Sequence, residues 1–190
     1  MAEHSDVTVL DLRPALREGK QGGLVYLPCN SHWNNFGAFV AYQAIAAEIQ
    51  AMLPNFRPLG HDDMIFETRP RRFNDWGSEI DIAYFRTPFL EDARVQERHA
   101  KLIVDTVLDP ALQEKASIHV HENDDKSLPK LVCFHDSFGW SLIPLLAEGF
   151  SRAVFVRSLG FSEEIIALEK PDLVISLRVE CMLTPVAVSK

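Results

Sequence analysis

The chain has 190 residues, 47% of them apolar, and carries 19 Lys and Arg against 27 Asp and Glu for a net charge of −8. That is enough chain to bury one substantial core and too little to need two domains, so a single globular unit is expected. No basic run is present that could neutralise a line of phosphates, which argues against a nucleic-acid partner, and no run approaches the roughly 18 apolar residues of a membrane span.

The start of the chain lacks a basic stretch followed by an apolar one, so no export signal is read there and a cytoplasmic location is expected for the chain as it stands. Residues 24–28 form a short apolar run between Gly22-Gly23 and Pro28 and read as a strand. A loop over residues 29–35 follows, then a strongly apolar helix over residues 36–53, closed by Pro54. Phe36, Phe39, Tyr42 and Ile45 have the spacing of its buried face. Residues 55–88 are richer in Pro, Arg, Asp and aromatic side chains without sustained periodicity, and read as an irregular insertion beside the sheet. Phe89 begins a helix running towards Val107.

Residues 118–121 form a further strand and residues 122–127 a polar loop. The clearest alternation comes next: strand 131–135, helix 140–148, strand 153–157, helix 162–170 and strand 172–177. Two successive βαβ units follow from that order, and with them an α/β fold of parallel strands joined by right-handed crossovers. Cys29, Cys133 and Cys181 are widely spaced with no CxxC pair, and read as small buried apolar residues.

Chemistry concentrates in two loops. Phe134-His135-Asp136-Ser137-Phe138-Gly139 lies between a buried strand and a helix, which places Ser137 at the carboxyl end of a parallel strand, where open α/β sheets hold their ligands. The following helix would offer N–H groups and a positive dipole end to a developing oxyanion. The alternative is that Asp136 and Ser137 simply cap that helix. A serine hydroxyl needs a base, and of the seven histidines His32 stands out in Asn30-Ser31-His32-Trp33-Asn34, again after an apolar strand and before an apolar helix. The alternative there is a structural, hydrogen-bonding histidine. His119 and His121 share one strand face but have no third ligand at a telling spacing, so no metal or other cofactor is expected. His135 points to the opposite side of the strand end from Ser137 and reads as supporting structure.

Together the two loops resemble the SGNH-hydrolase-like O-acetyltransferases that modify alginate and other exopolysaccharides. That family carries an early Asp-x-His-Trp-Asn motif and a late strand-Asp-Ser-(Phe or Tyr)-helix motif. They correspond here to Asn30-Ser31-His32-Trp33-Asn34, followed by Phe36-Gly37-Ala38, and to Asp136-Ser137-Phe138-Gly139. The opening Val9-Leu10-Asp11-Leu12-Arg13-Pro14-Ala15-Leu16, and Pro144-Leu145-Leu146, Phe150 and the strand ending at Arg157, are similar too.

The resemblance implies a three-layer SGNH-like (flavodoxin-like) fold, with a mainly parallel central sheet flanked by helices. It further implies a serine-dependent O-acetyltransferase or acetylesterase in which Ser137 takes an acyl group and passes it to a sugar hydroxyl. His32 would accept and return the proton, and the residue at position 30 would orient the imidazole. That residue is Asn30 where the family has aspartate, and a neutral amide does not stabilise an imidazolium as a carboxylate does. Asp62 or Asp63 could substitute; otherwise the chain is a weak or inactive relative that binds carbohydrate or serves in assembly. Arg157 is a candidate binder of an acidic sugar or oxyanion, with a surface ion pair as the alternative. Trp33 and Trp140 are candidates to stack on sugar rings, with apolar packing as the alternative, and Asp136 is placed on the same binding edge.

The implied partners are a polysaccharide acceptor, an acyl donor and a membrane acyltransferase. The family starts with an additional apolar strand before the Asp-Leu-Arg-Pro segment, so a trimmed member would be periplasmic and would leave a sheet edge open to a second copy.

Overall fold

The computed structural model describes residues 7–27, 31–70, 89–103 and 117–180. They fall into two compact units, one of residues up to 54 together with 58–97, the other of residues 55–57 together with those from 98 onward.

In the first unit, Asp11 accepts from the backbone N–H and the guanidinium of Arg13 at 2.9–3.0 Å, just ahead of helix α1 (Arg13–Gly19). Helix α2 (Asn35–Met52) begins at Asn34, whose Oδ1 accepts from Gly37 N at 2.7 Å and so satisfies one of the donors a helix start leaves open. The helix stops at Leu53, ahead of Pro54, and buries Ala38, Phe39, Tyr42, Ile45 and Ile49. Strands β1 (Met64–Pro70) and β2 (Phe89–Val95) form an antiparallel ribbon, with Met64 opposite Val95. Phe66 of β1 meets Phe36 and Phe39 edge-on at 6.4 and 5.3 Å. Asp92 of β2 accepts from Asn35 Nδ2 at 2.6 Å and from Arg69 Nε at 2.9 Å, joining the start of α2 to the ribbon.

Three sequence expectations change in this region. Part of the segment read as an irregular insertion, residues 55–88, is strand β1. The helix expected from Phe89 is instead β2, because Ala93 and Val95 are buried while Arg94 between them is exposed, a period of two too short to stand out among the charged residues around it; its far end, residues 104–107, lies outside the described residues. Finally, residues 24–27 join no sheet. Tyr26 makes one isolated antiparallel bridge to Trp33, because the chain doubles back at once, and Leu24 stays 45% exposed.

The second unit contains strands β3 (Lys101–Ile103), β4 (Ser117–Glu122) and β5 (Lys130–His135). A broken helical segment follows, a 3₁₀ turn Ser137–Ser141, the short helix α3 (Ile143–Leu146) and a second 3₁₀ turn Ala147–Gly149. Strand β6 (Arg152–Arg157), helix α4 (Glu163–Glu169) and strand β7 (Leu173–Leu177) complete it. The sheet order is β3-β4-β6-β5-β7. β5 is parallel to both β6 and β7, whereas β4 is antiparallel to β3 and to β6.

The fold is thus α/β with a mixed sheet, not a mainly parallel one. Residues 123–129, between β4 and β5, are too few to carry the chain back along the sheet, so β5 starts at the end where β4 finishes and runs the other way. The expected continuous helix over residues 140–148 is broken where Pro144, lacking an N–H, enters the first turn of α3.

Val120, Val132, Phe134, Val154, Val156 and Ile165 form the core on the α4 side of the sheet. Phe56 packs on Phe150 with ring centroids 5.1 Å apart, which ties residues 55–57 to this unit.

Gly37 tests how tightly the loop bearing His32 is held. A β-carbon there would overlap the carbonyl of Val25, backbone that cannot swing away. Gly37→Ala is expected to lower stability by about 1–3 kcal/mol, read as a fall in the urea midpoint at unchanged slope.

Candidate active site

The chain leaves β5 to form β6 on one side and then returns to form β7 on the other, so the strand order reverses at the carboxyl ends of β5 and β7. Ligands of open α/β sheets sit in the crevice such a reversal opens. Ser137, half-buried, stands there, second after the end of β5.

Asp136, only 7% exposed, organises the turn. Its Oδ1 accepts from Phe138 N at 2.9 Å, its backbone oxygen from Gly139 N at 3.2 Å, and its Oδ2 from Val179 N, beyond β7, at 2.6 Å. Next to it, Arg178 Nη1 donates to Phe134 O at 3.1 Å and Leu177 O at 2.8 Å, while its buried Nη2 meets no partner among the described residues. The capping role read for Asp136 is therefore real.

The oxyanion support expected from the following helix is not found in that form. The element is a five-residue 3₁₀ turn, too short for a substantial dipole, and the N–H groups of Phe138 and Gly139 are already taken by Asp136. Arg178 and Val179 escaped the sequence reading. Their signal was present, since Arg178 follows its strand much as Arg157 ends its own.

Arg157 lies at the carboxyl end of β6, opposite His135 of β5 and Ser117 of β4. It is exposed, and its guanidinium sits over the Trp140 ring, 5.9 Å from the centroid. His135 and His119 meet the same indole edge-on at 5.3 and 5.0 Å. Trp140 is thus half-buried in a ring of cationic and titratable neighbours, whereas Trp33 is 5% exposed and packed, the alternative reading for it.

The remaining candidates belong to the first unit. His32 is half-buried, in a loop held by Leu27 N donating to His32 O at 3.0 Å, Asn34 N to Val25 O at 3.2 Å and Asn34 Nδ2 to Leu24 O at 2.5 Å. Asn30 lies outside the described residues. Asp62 and Asp63 are exposed on a 3₁₀ turn, where Asp63 Oδ2 accepts from Gly60 N at 2.7 Å.

Burial pushes the Cys133 thiol up to about 12, so it stays protonated at neutral pH and is no competing thiolate nucleophile. Burial also lowers the pKa of His135, with smaller contributions from His119 and Arg157 partly offset by Asp136. His121 is lowered by burial, then by His119 and Arg98.

Both imidazoles bind protons less readily folded than unfolded. Their contribution to stability is therefore complete above the unfolded value and is lost as the pH falls below it. Urea unfolding between about pH 7.5 and pH 5.5 should show a midpoint that falls with acidification, and His135→Phe should flatten the fall.

Residues 1–75 match the family model described as SGNH hydrolase-like domain, acetyltransferase AlgX. No curated protein sequence matches the chain. Among solved structures, a DHHW family protein from Eubacterium siraeum superposes with a TM-score of 0.65 at 17% identity, over 91% of this chain and 64% of that one. Bacillus cereus PatB1 follows with a TM-score of 0.59 at 16% identity, over 80% of this chain and 61% of its own. PatB1 bearing a sulfonyl adduct gives 0.58 at 16% identity, over 85% and 64%. At these identities the likeness is one of fold, and the chain spans less than two thirds of the length of those proteins.

Proposed function

Because residues 1–75 match the SGNH hydrolase-like acetyltransferases, as the paired motifs implied, we propose that the chain is a serine-dependent O-acetyltransferase, or the corresponding esterase, acting on a polysaccharide through an acyl-Ser137 intermediate. The observation that carries the reading is the position of Ser137 at the strand-order reversal, in a turn closed on itself by the Asp136–Phe138 bond and tied by Asp136 to the segment after β7.

In this mechanism Ser137 Oγ attacks the acyl carbonyl while His32 takes its proton. The proton returns to the leaving group as the tetrahedral intermediate collapses. A sugar hydroxyl, or water in the esterase version, then attacks the acyl-serine with His32 again as base. Arg157, held over Trp140, supplies a cation for an acceptor bearing a carboxylate. The donor would be a membrane acyltransferase or another acyl carrier.

A second reading, a non-catalytic carbohydrate-binding or assembly protein, is favoured by one observation, Asn30 in the position where the motif has aspartate. An amide there leaves the imidazolium without its compensating charge.

The test is acetyl release from p-nitrophenyl acetate, together with labelling by a sulfonyl fluoride and mass spectrometry of the modified residue. The parent chain should acquire one adduct, on Ser137. Ser137→Ala should lose both reactions, and His32→Ala should slow turnover about 10²–10⁴-fold. Asn30→Asp should raise turnover, by up to about 10⁴-fold if position 30 is the weak link. A folded parent and folded Asn30→Asp that both fail to label would establish the binding-protein reading. With transfer activity in hand, Arg157→Gln should raise KM for an acidic oligosaccharide acceptor and leave the neutral ester's turnover unchanged.

A further inference from the structure

His135 is 1% exposed, and the mechanism above gives it no task. Its Nδ1 lies 2.7 Å from the backbone oxygen of Asp136, the same oxygen that accepts from Gly139 N at 3.2 Å. A carbonyl oxygen only accepts, so Nδ1 carries the proton and Nε2 is bare. Nε2 is buried with no partner among the described residues. The ring lies flush against Gly139, where a β-carbon would overlap the imidazole, and Trp140 closes its edge at 5.3 Å. One tautomer in one orientation is thereby held in place.

That arrangement carries a cost. A phenyl or aliphatic side chain would fill the same space without stranding a polar nitrogen, and a buried acceptor left unpaired is unfavourable. The compensating feature is what the Nδ1 proton holds. The Asp136 carbonyl and the Ser137 N–H belong to one planar peptide unit, so fixing the first fixes the second and the direction in which the chain enters Ser137. On the far side of the serine, the Asp136 carboxylate fixes Phe138 N at 2.9 Å. The peptide units before and after Ser137 are both held, one by an imidazole and one by a carboxylate.

We propose that His135 is a positioning residue for Ser137, acting as a neutral Nδ1–H donor that locks the Asp136–Ser137 peptide plane and so sets the direction from which the Ser137 hydroxyl meets an acyl carbonyl. The inference rests on the serine reading above and adds to it a second histidine that transfers no proton. Burial lowers the pKa of the ring and so favours the neutral form, which suits a donor that must stay in one tautomer.

Two substitutions separate positioning from packing. His135→Phe keeps the volume and removes the donor, while His135→Asn places an amide N–H near the position of Nδ1 and gives up part of the volume. In p-nitrophenyl acetate turnover, His135→Phe is expected to lower kcat about 10²-fold with KM little changed, the cost of a misplaced reacting group. His135→Asn should recover most of that rate despite a lower melting temperature. A purely structural histidine would give the opposite order, with His135→Phe the better variant in both respects.

Long-range proton–nitrogen NMR of the labelled parent supplies a readout independent of turnover and of whether a variant folds. It should show His135 protonated on Nδ1 alone, and protonation on Nε2 would overturn the proposal. If the parent labels on Ser137 and His135→Phe matches its kcat, the positioning role fails and the serine reading stands. If the parent does not label on Ser137, the serine reading fails and takes the positioning role with it.

Discussion

The carboxylate of Asp136 holds backbone N–H groups on two separate stretches of chain: Phe138 in the turn after β5 and Val179 beyond β7. Charge-assisted bonds of 2.9 and 2.6 Å to a group only 7% exposed are strong, and breaking them would strand a buried charge. Through this one side chain the segments that follow β5 and β7 are joined beyond the ends of their ladder, and the serine's turn is held in a defined form. Arg178, spanning the carbonyls of Phe134 and Leu177, adds a second clasp across the same pair of strands.

The two faces of the sheet behave differently around that point. On the α4 side the strands contribute valines, Phe134 and Ile118, which pack with Ile165 and Ile166 of the helix in an apolar layer whose stability comes from burial. The face carrying Cys133, His119, His121 and His135 instead buries titratable groups against Trp140 and Phe155. At the other end of the sheet, Arg152 binds Glu169 through two bonds of 2.6 and 2.9 Å and Glu122 through one of 2.7 Å. Glu148, 6% exposed, accepts from the N–H groups of His99 and Ala100. Among the described residues these ion pairs lie away from the carboxyl edge. At that edge the exposed Arg157 guanidinium rests on the Trp140 ring.

Much of this was legible along the chain. The strands at 131–135, 153–157 and 172–177 and the helix opened by Ser162 were readable because uninterrupted apolar runs of strand length alternate with a capped amphipathic segment. The long α2 was equally plain, bounded by Asn34 and Pro54. Ser137 and His32 stood out because their loops follow apolar runs and resemble two motifs of an acetyltransferase family; the match to that family's model, over residues 1–75, includes His32 and stops short of Ser137. The helix expected from Phe89 failed for a local reason. In β2, Arg94 comes between the buried Ala93 and Val95, and so few buried positions resemble a polar helix until the partner strand is known.

What the sequence determined by itself was the alternation of elements in the second half and the chemistry of its loops, since periodicity, caps and side-chain type act over a few neighbouring residues. Tertiary structure decided the rest. The direction of β4 depended on a loop too short to cross the sheet, and the loss of a strand at residues 24–27 on the chain turning back to Trp33. Arg178 and Val179 lie more than forty residues from Phe134 and Asp136, and only the pairing of β7 with β5 brings them to the serine's turn. Such contacts join residues distant in sequence, and no local pattern encodes which distant backbone group a side chain will meet.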